Sequence, residues 1–292
     1  MYEPFYGFKL KPFALLPQEE FMFLSRQHRM ALDLLIYALT NRALFCVVSG
    51  GIGTGKTTLL RFLLSRHASN TSVGMITGMS GSYEELLQWV LSQFGLDFRG
   101  LDRIALQQAL VDHLKRQLAQ GISTVLVIDE AQALSPEVLE ELRLFSNINA
   151  GRMMLLQTIL VGQPALRDTL RKQQMLQFAQ RVAVDYVLTP LDRQQTGAYI
   201  RHRLQIAGPV TEDLFSLDAC DAIFEASDGI PRIVNLLCDM ALVYGYADQK
   251  PTIDADIVNE MLEDKARDGG WLFARPKQRR SRQAQADGRV KP

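Results

Sequence analysis

The sequence predicts an α/β fold, a parallel β-sheet with helices between its strands, followed by a small all-helical unit. Apolar runs of strand length alternate with helical patterns as far as Pro190, and beyond it only helical patterns remain. This alternation is typical of right-handed βαβ units. Strands are predicted at 43–49, 72–78, 123–129, 154–162 and 182–188. Helices are predicted at 56–67, 82–95, 102–120, 135–149, 192–206, 216–226, 231–246 and 254–262.

These patterns divide the chain into four segments. Residues 1–41 form an aromatic lead and an amphipathic helix, Phe23 to Leu39, which we expect to pack on the core of residues 42–190. Residues 191–264 form the helical lid, and residues 265–292 form a basic tail. The tail loses periodicity from Asp268, so we expect it to be disordered and solvated. Contact with anionic lipid or nucleic acid is the alternative for it.

Composition sets further bounds. With 47% hydrophobic residues, a chain of 292 can bury a substantial core. No uncharged apolar stretch approaches the roughly 18 residues that span a bilayer, and no secretory signal opens the chain, so we expect a cytoplasmic protein. The formal net charge is zero, but residues 271–292 carry seven Lys/Arg and one acid, which leaves 25 basic against 31 acidic residues elsewhere.

Cysteine and histidine offer no obvious metal site. Cys46, Cys220 and Cys238 lack metal-binding spacing, and free thiols in a reducing compartment are expected. The four histidines share no spacing and no acidic partner at a recurring position, so they are interpreted as surface or helix residues: His28, His67, His113 and His202.

The most informative segment joins an apolar strand to a helix through a glycine loop. Gly50, Gly55, Lys56 and Thr57 fill the Walker A spacing of a phosphate-binding loop. Backbone N–H groups of such a loop surround phosphates, the lysine reaches the β- and γ-phosphates, and the hydroxyl binds Mg²⁺. A glycine-rich surface turn is the alternative. The predicted nucleotide-binding residues are Gly50, Gly51, Ile52, Gly53, Thr54, Gly55, Lys56, Thr57 and Thr58.

A second motif is the apolar run Val125 to Ile128, which ends on two carboxylates, Asp129 and Glu130. A buried parallel strand is apolar on both faces, so acids are expected only where it emerges at its carboxyl end, which is where α/β sheets bind ligands. Together with Thr57, Asp129 is predicted to hold Mg²⁺, and Glu130 to act as the general base. Alternatively, the two acids merely begin the loop before the next helix.

A phosphate-loop core followed by a helical lid resembles the AAA+ ATPases. The resemblance is closest to the general secretion pathway protein A (ExeA-like) group, and within it to ATPases associated with exosortase/PEP-CTERM systems. It spans residues 1 to about 262. The stretches that carry it are MYEPFYGFKLKPF, VVSGGIGTGKTTLLRFLL, VLVIDEAQALSPEVLEELRLFSNINA, ILVGQPALRDTLR, QFAQRVAVDY and GIPRIVNLLCDMALVYGYA.

The resemblance implies three further site residues. Gln163 takes the sensor 1 position, although it could simply cap a strand end. Arg181 takes the position of an arginine finger that reaches a neighbouring protomer, although it could be a surface arginine. Arg232 takes the sensor 2 position. Its charge at a helix N-terminus also suggests an anionic partner, although a salt bridge to Asp228 is the alternative.

The sequence therefore predicts an Mg²⁺-dependent ATPase that couples ATP hydrolysis to remodelling of an oligomer or partner in an envelope-directed system. The expected partners are further copies of the chain, in a ring or filament, and secretion or polysaccharide-export components. Peripheral attachment to the inner membrane would come only through partners or the basic tail. One rival is a DNA-binding regulator of the transposition-helper type, which the acidic body disfavours. Another is a nucleotide-gated scaffold with negligible turnover.

Overall fold

The computed structural model describes residues 1–16, 19–67, 70–79, 81–145, 149–150, 153–208 and 214–267. The predicted basic tail from residue 268 lies outside the described residues. The core is a parallel sheet with the order β2-β3-β6-β1-β7, which confirms the predicted fold class. The strands of the sheet are β1 (Phe45–Gly50), β2 (Thr71–Thr77), β3 (Ser123–Asp129), β6 (Gln157–Gly162) and β7 (Val182–Leu188), and a separate antiparallel pair comprises β4 (Asn149–Ala150) and β5 (Met153–Met154).

Helices cover both faces of the sheet and form the C-terminal domain. In chain order they are α1 (Glu3–Tyr6), α2 (Arg26–Thr40), α3 (Lys56–His67), α4 (Tyr83–Gln93), α5 (Arg103–Ala119), α6 (Pro136–Phe145), α7 (Pro164–Leu170), α8 (Leu176–Ala179), α9 (Arg193–Ala207), α10 (Leu217–Ser227), α11 (Pro231–Ala247) and α12 (Ala255–Arg267). Short polar side chains begin several of them. The side chains of Ser82 and Asp192, for example, form capping boxes at α4 and α9.

The central strands β1, β3 and β6 are buried on both faces, which explains why they are nearly continuously apolar. Along β3, Leu126 and Ile128 pack into a cluster with α4, α5 and α6, whereas Val125 and Val127 pack on the opposite face with α2 and α3. In these central strands polar residues are therefore confined to the strand ends, whereas the edge strand β7 carries the exposed Asp185 in its middle. Since all five strands are parallel, the carboxyl ends of β1, β6 and β3 lie side by side at one edge.

The lead does not pack as predicted. We expected residues 1–41 to pack on the sheet core, and α2 does lie there, with Leu35 fully buried. The aromatic residues before α2 instead belong to the hydrophobic cluster of the helical domain: Tyr2, Tyr6, Phe8, Phe13 and Phe21. The N–H groups of Lys9 and Leu10 also donate to the Ala207 carbonyl at the end of α9. Large aromatic rings indicate burial, but they do not indicate which domain buries them.

Two local predictions also differ from the structure. Of the helix predicted at 135–149, the structure describes Pro136–Phe145, residues 146–148 lie outside the described residues, and Asn149–Ala150 forms a strand with Met153–Met154. The asparagines of this region disfavour helix because their side chains compete for backbone groups. The short helix α7 was not predicted from the sequence. It begins at Pro164, and proline is well suited to the first turn of a helix.

The three cysteines are buried free thiols, and burial raises the pKa of Cys46 to about 12. Among the described residues, no helix is both long and apolar enough to cross a membrane.

Candidate nucleotide-binding site

The glycine loop connects β1 to the first turn of α3. Gly53 and Gly55 have φ angles of +79° and +95°, in the left-handed region that favours glycine. Gly50 must also be small, because a Cβ there would lie 2.6 Å from the Leu188 carbonyl oxygen. The helix begins directly at Lys56, so its first N–H groups have no helical acceptor and, with the dipole, favour an anion.

Lys56 lies inside this loop. Its side chain is buried, and its Nζ donates to the carbonyl oxygens of Gly50 at 3.0 Å and Gly51 at 2.9 Å. Burial lowers the pKa of the Lys56 ammonium, while the nearby charges of Glu130 and Asp129 oppose that shift. The loop therefore holds a cation close to the amides that an anion would contact.

Thr57 and Asp129 are brought together across the sheet edge. The Thr57 hydroxyl donates to Asp129 Oδ2 at 2.6 Å, and the Glu130 backbone N–H donates to Asp129 Oδ1 at 2.9 Å. Asp129 is only 2% exposed. One hydroxyl and one carboxylate side by side are oxygen ligands of the kind that Mg²⁺ prefers.

Glu130 adopts a left-handed backbone conformation, with φ of +58°. Its Oε2 accepts hydrogen bonds from Gln132 Nε2 at 2.5 Å and from Gln163 Nε2 at 3.3 Å. Gln132 Oε1 in turn accepts from the Gln163 backbone N–H at 2.9 Å. Thus the ends of β3 and β6 are linked through one carboxylate and two amides.

Gln132 is a site residue that the sequence analysis missed. Gly162 leaves room for it, since a Cβ at Gly162 would lie 2.7 Å from Gln132 Oε1 in its present position. A polar side chain two residues after Glu130 was the available signal, but nothing in the sequence pairs it with Gly162 or Gln163.

Arg232 lies beside the phosphate loop at the start of α11. Its backbone N–H donates to the Gly53 carbonyl at 3.3 Å, and a Cβ on Gly53 would lie 2.8 Å from Arg232 Cβ. The ion pairs of the described residues include none between Arg232 and Asp228, which was the alternative for this arginine. The helical domain therefore contacts the glycine loop directly.

Arg181 lies away from these residues. It is half-buried just before β7, and its Nη1 donates to the Arg143 carbonyl at 3.2 Å, near the end of α6. It is not among the described residues that line the cavity beside the phosphate loop. Asp129 and Gln163 do not line the cavity either, but they are hydrogen-bonded to Thr57 and Glu130, which do.

A cavity of about 420 Å³ extends from the loop to the helical domain, a volume suited to a small ligand. Lys56, Thr57, Glu130 and Arg232 lie at one end. The remaining wall comes largely from the lead and the helical domain, and comprises Ala14, Leu15, Leu16, Phe21, Met22, Phe23, Leu191, Tyr199, Arg203, Pro231 and Asn235. Its apolar side chains suit the faces of a planar base, while the charged end suits phosphates.

His28 also lines the cavity. The sequence predicts a surface or helix residue here; His28 does lie on α2, but it is buried rather than at the surface, and its Nε2 lies 3.0 Å from the Thr54 carbonyl oxygen. No local pattern could show that α2 packs against the glycine loop.

The comparisons with known proteins agree with this geometry. Residues 39–170 match the family model described as AAA domain. Over 248 residues, or 85% of the chain, the sequence is 39% identical to the General secretion pathway protein A of Aeromonas hydrophila. The match covers 45% of that protein, so the chain spans less than half of its length.

Solved structures show the same fold at low identity. The ORC2 protein of Aeropyrum pernix, in ADPNP–ADP complexes, aligns with a TM-score of 0.68 and 17% identity, over 88% of this chain and 72% of that one. Cdc6p of Pyrobaculum aerophilum aligns with a TM-score of 0.65 and 18% identity, over 84% of this chain and 70% of that one. The RuvB branch migration motor of Thermotoga maritima aligns with a TM-score of 0.55 and 20% identity, over 83% of this chain and 70% of that one. The chain therefore has the P-loop AAA fold, in which residues 39–170 match the AAA domain model and a helical domain follows the sheet.

Proposed function

We propose that this protein binds ATP in the cavity between the glycine loop and the helical domain and hydrolyses it to ADP and phosphate. One observation carries the proposal: a buried lysine, a hydroxyl and a carboxylate lie at one end of a single cavity, and a second, buried carboxylate accepts a hydrogen bond from that hydroxyl. A surface glycine turn would not need this set. The hydrogen bonds that the side-chain amides of Gln132 and Gln163 donate to Glu130 also favour an enzyme that hydrolyses ATP over a scaffold that only binds nucleotide.

In this proposal, each side chain has a separate task. The loop amides and Lys56 bind the phosphates, and Thr57 with Asp129 would hold Mg²⁺, which neutralises phosphate charge. Glu130 accepts the proton of the attacking water, while Gln163 orients that water from the end of β6. Arg232 contacts the phosphates from the helical domain and so links nucleotide state to lid position.

We further propose that Arg181 completes the site of a second copy of the chain. Its position outside its own cavity supports a role in a neighbour, where a guanidinium would stabilise charge in the transition state. Hydrolysis would then depend on assembly into a ring or filament.

The biological setting that we propose is an envelope-directed secretion system. It rests on the likeness to General secretion pathway protein A, and the exosortase link rests on the quoted stretches alone. Secretion or polysaccharide-export components would be the partners, and the protein would work in the cytoplasm or at the inner membrane through them. The fold is also similar to that of a Drosophila ORC bound to DNA. At 17% identity this similarity is evidence for the fold alone and does not favour a DNA-binding role.

Lys56→Ala tests the site assignment, because it removes the buried cation from the loop. We expect wild-type protein to release phosphate from ATP only with Mg²⁺, and the variant to lose both nucleotide affinity and turnover. Binding of a fluorescent ATP analogue and steady-state phosphate release are the measurements. Lys115→Ala, a change to an exposed lysine on α5, is the matched control. Unchanged affinity in Lys56→Ala would show that the cavity is not a phosphate site.

A further inference from the structure

His28 links α2 to the phosphate loop. Its side chain is 4% exposed, and both ring nitrogens are engaged. Nδ1 lies 2.7 Å from Ser25 Oγ, and Nε2 lies 3.0 Å from the Thr54 carbonyl oxygen. The imidazole therefore joins the residue that caps α2 to a residue in the middle of the loop.

The partners fix the tautomer of the ring. A carbonyl oxygen can only accept, so Nε2 carries the hydrogen and donates it to Thr54, and Nδ1 accepts from the Ser25 hydroxyl. Ser25 Oγ also caps the helix by accepting from the His28 backbone N–H at 3.4 Å. Burial lowers the pKa of His28, in keeping with a neutral ring.

The bond to Thr54 sets the direction of a loop amide. A peptide unit is planar and trans, so its C=O and N–H point in opposite directions. When the Thr54 oxygen points at His28, the Gly55 N–H must point away from α2. The fit is close: Gly55 has φ of +95°, and a Cβ there would lie 3.0 Å from His28 Nε2.

The helix turn that carries His28 is itself firmly held. Farther along α2, Ala31, Leu32 and Leu35 are buried in the cluster beneath the sheet. On the first turn, Gln27 Nε2 donates to the carbonyls of Thr189 at 2.6 Å and Pro190 at 3.1 Å. The backbone of His28 is thus held in place relative to the sheet.

We propose that His28 is a positioning residue for nucleotide binding, which holds the Thr54–Gly55 peptide with its N–H directed towards the bound phosphates. This inference rests on the proposed function of the site. It assigns the first turn of α2 to the phosphate-binding machinery, although that turn lies outside the Walker A motif.

Replacement by glutamine and by leucine separates the hydrogen bond from the volume of the ring. Glutamine Nε2 is as many bonds from Cα as histidine Nε2, so His28→Gln keeps a donor within reach of Thr54. His28→Leu fills the space without one. His113→Gln, at a buried histidine on α5 that does not line the cavity, is the control.

The full-length variants are compared by dissociation constants for fluorescent ADP and ATP, with melting temperatures to verify folding. We expect His28→Leu to bind about tenfold or more weakly, and His28→Gln and His113→Gln to bind within about threefold of wild type. A tenfold change corresponds to about 1.4 kcal/mol, the size of one hydrogen bond's contribution.

Wild-type affinity in folded His28→Leu would overturn the proposal, as would an equal loss in His28→Gln. If His28→Leu does not fold, His28→Asn decides, because the asparagine amide nitrogen is one bond closer to Cα than histidine Nε2 and so falls short of the Thr54 carbonyl. A loss of affinity in folded His28→Asn then supports the proposal, and unchanged affinity overturns it. If wild-type protein binds neither nucleotide, the proposed function itself fails, whatever the variants do.

Discussion

At the scale of single residues, the hydrogen bonds of Glu130 explain how a carboxylate can be kept in place at the end of a strand. Its left-handed backbone costs about 1–2 kcal/mol for a residue with a side chain, so the surroundings must stabilise it. The Gln132 and Gln163 amides donate to its Oε2, and Gln132 is itself fixed by the Gln163 N–H. Gln132 is not among the described residues that line the cavity, so we expect it to affect turnover only through Glu130.

Gln132→Ala should separate binding from turnover. We expect ATP affinity to stay near wild type, because Gln132 does not line the cavity, and turnover at saturating ATP to fall by about 10–10²-fold as Glu130 loses its orientation. Gln107→Ala, at a half-buried glutamine on α5, is the control and should leave both unchanged. If Gln132→Ala turns over ATP at the wild-type rate, the network does not position Glu130.

At the scale of elements, the lead is tied to α9 by a buried arginine without a carboxylate partner among its described contacts. Arg203 is 6% exposed, and its Nε donates to the Pro12 carbonyl at 2.6 Å and its Nη1 to the Tyr199 hydroxyl at 2.9 Å. The guanidinium lies 4.7 Å from the centre of the Phe21 ring. Carbonyl oxygens and aromatic faces together replace the water that the charge loses on burial.

Arg203→Met should therefore destabilise the protein. The apolar chain keeps most of the packing, but it leaves a buried carbonyl and hydroxyl without their donor, so we expect a loss of about 2–4 kcal/mol in the free energy of unfolding. Denaturant unfolding measures it. Arg201→Met, two residues earlier on the exposed side of α9, should change stability by less than about 0.5 kcal/mol. Similar losses in both variants would mean that the lead does not depend on Arg203.

The sequence predicts the elements better than it predicts their contacts. The five strands of the sheet and the glycine loop could be located because apolar runs and Walker spacing are local patterns. The placement of Phe13 in the helical domain, and the roles of His28 and Gln132, depend on groups far apart in the chain. The hydrogen bond between His28 and Thr54 joins residues 26 positions apart in the chain. The bond that the Gln163 N–H donates to Gln132 Oε1 joins residues 31 positions apart.

At the scale of the whole molecule, the cavity belongs to two domains and the lead. The sheet domain supplies Lys56, Thr57 and Glu130 at the charged end, and the helical domain adds Arg232 there; the lead and the helical domain supply most of the remaining wall. The bond from the Arg232 N–H to Gly53 makes the two domains touch at the loop itself. A change at the phosphates can therefore reach the helical domain through one contact.

The proposed role of Arg181 in a neighbouring copy can be tested by mixing two inactive variants. Arg181→Ala should bind ATP, but its rate of hydrolysis should fall by about 10³-fold. Lys56→Ala should not bind ATP in its own site, but it keeps an intact Arg181. Mixed assemblies should regain part of the phosphate release, through Arg181→Ala sites next to Lys56→Ala copies. If mixed oligomers form and stay inactive, Arg181 does not act between copies.

The central claim is that this cavity hydrolyses ATP with Glu130 as the base, and Glu130→Gln tests it most directly. The change keeps the size of the side chain and an oxygen that accepts from Gln132 and Gln163, but it removes the basic carboxylate. The account predicts ATP affinity within about threefold of wild type and a fall in steady-state phosphate release of roughly 10²–10⁴-fold. Wild-type turnover in the variant, or an equal loss of binding and turnover, would contradict it.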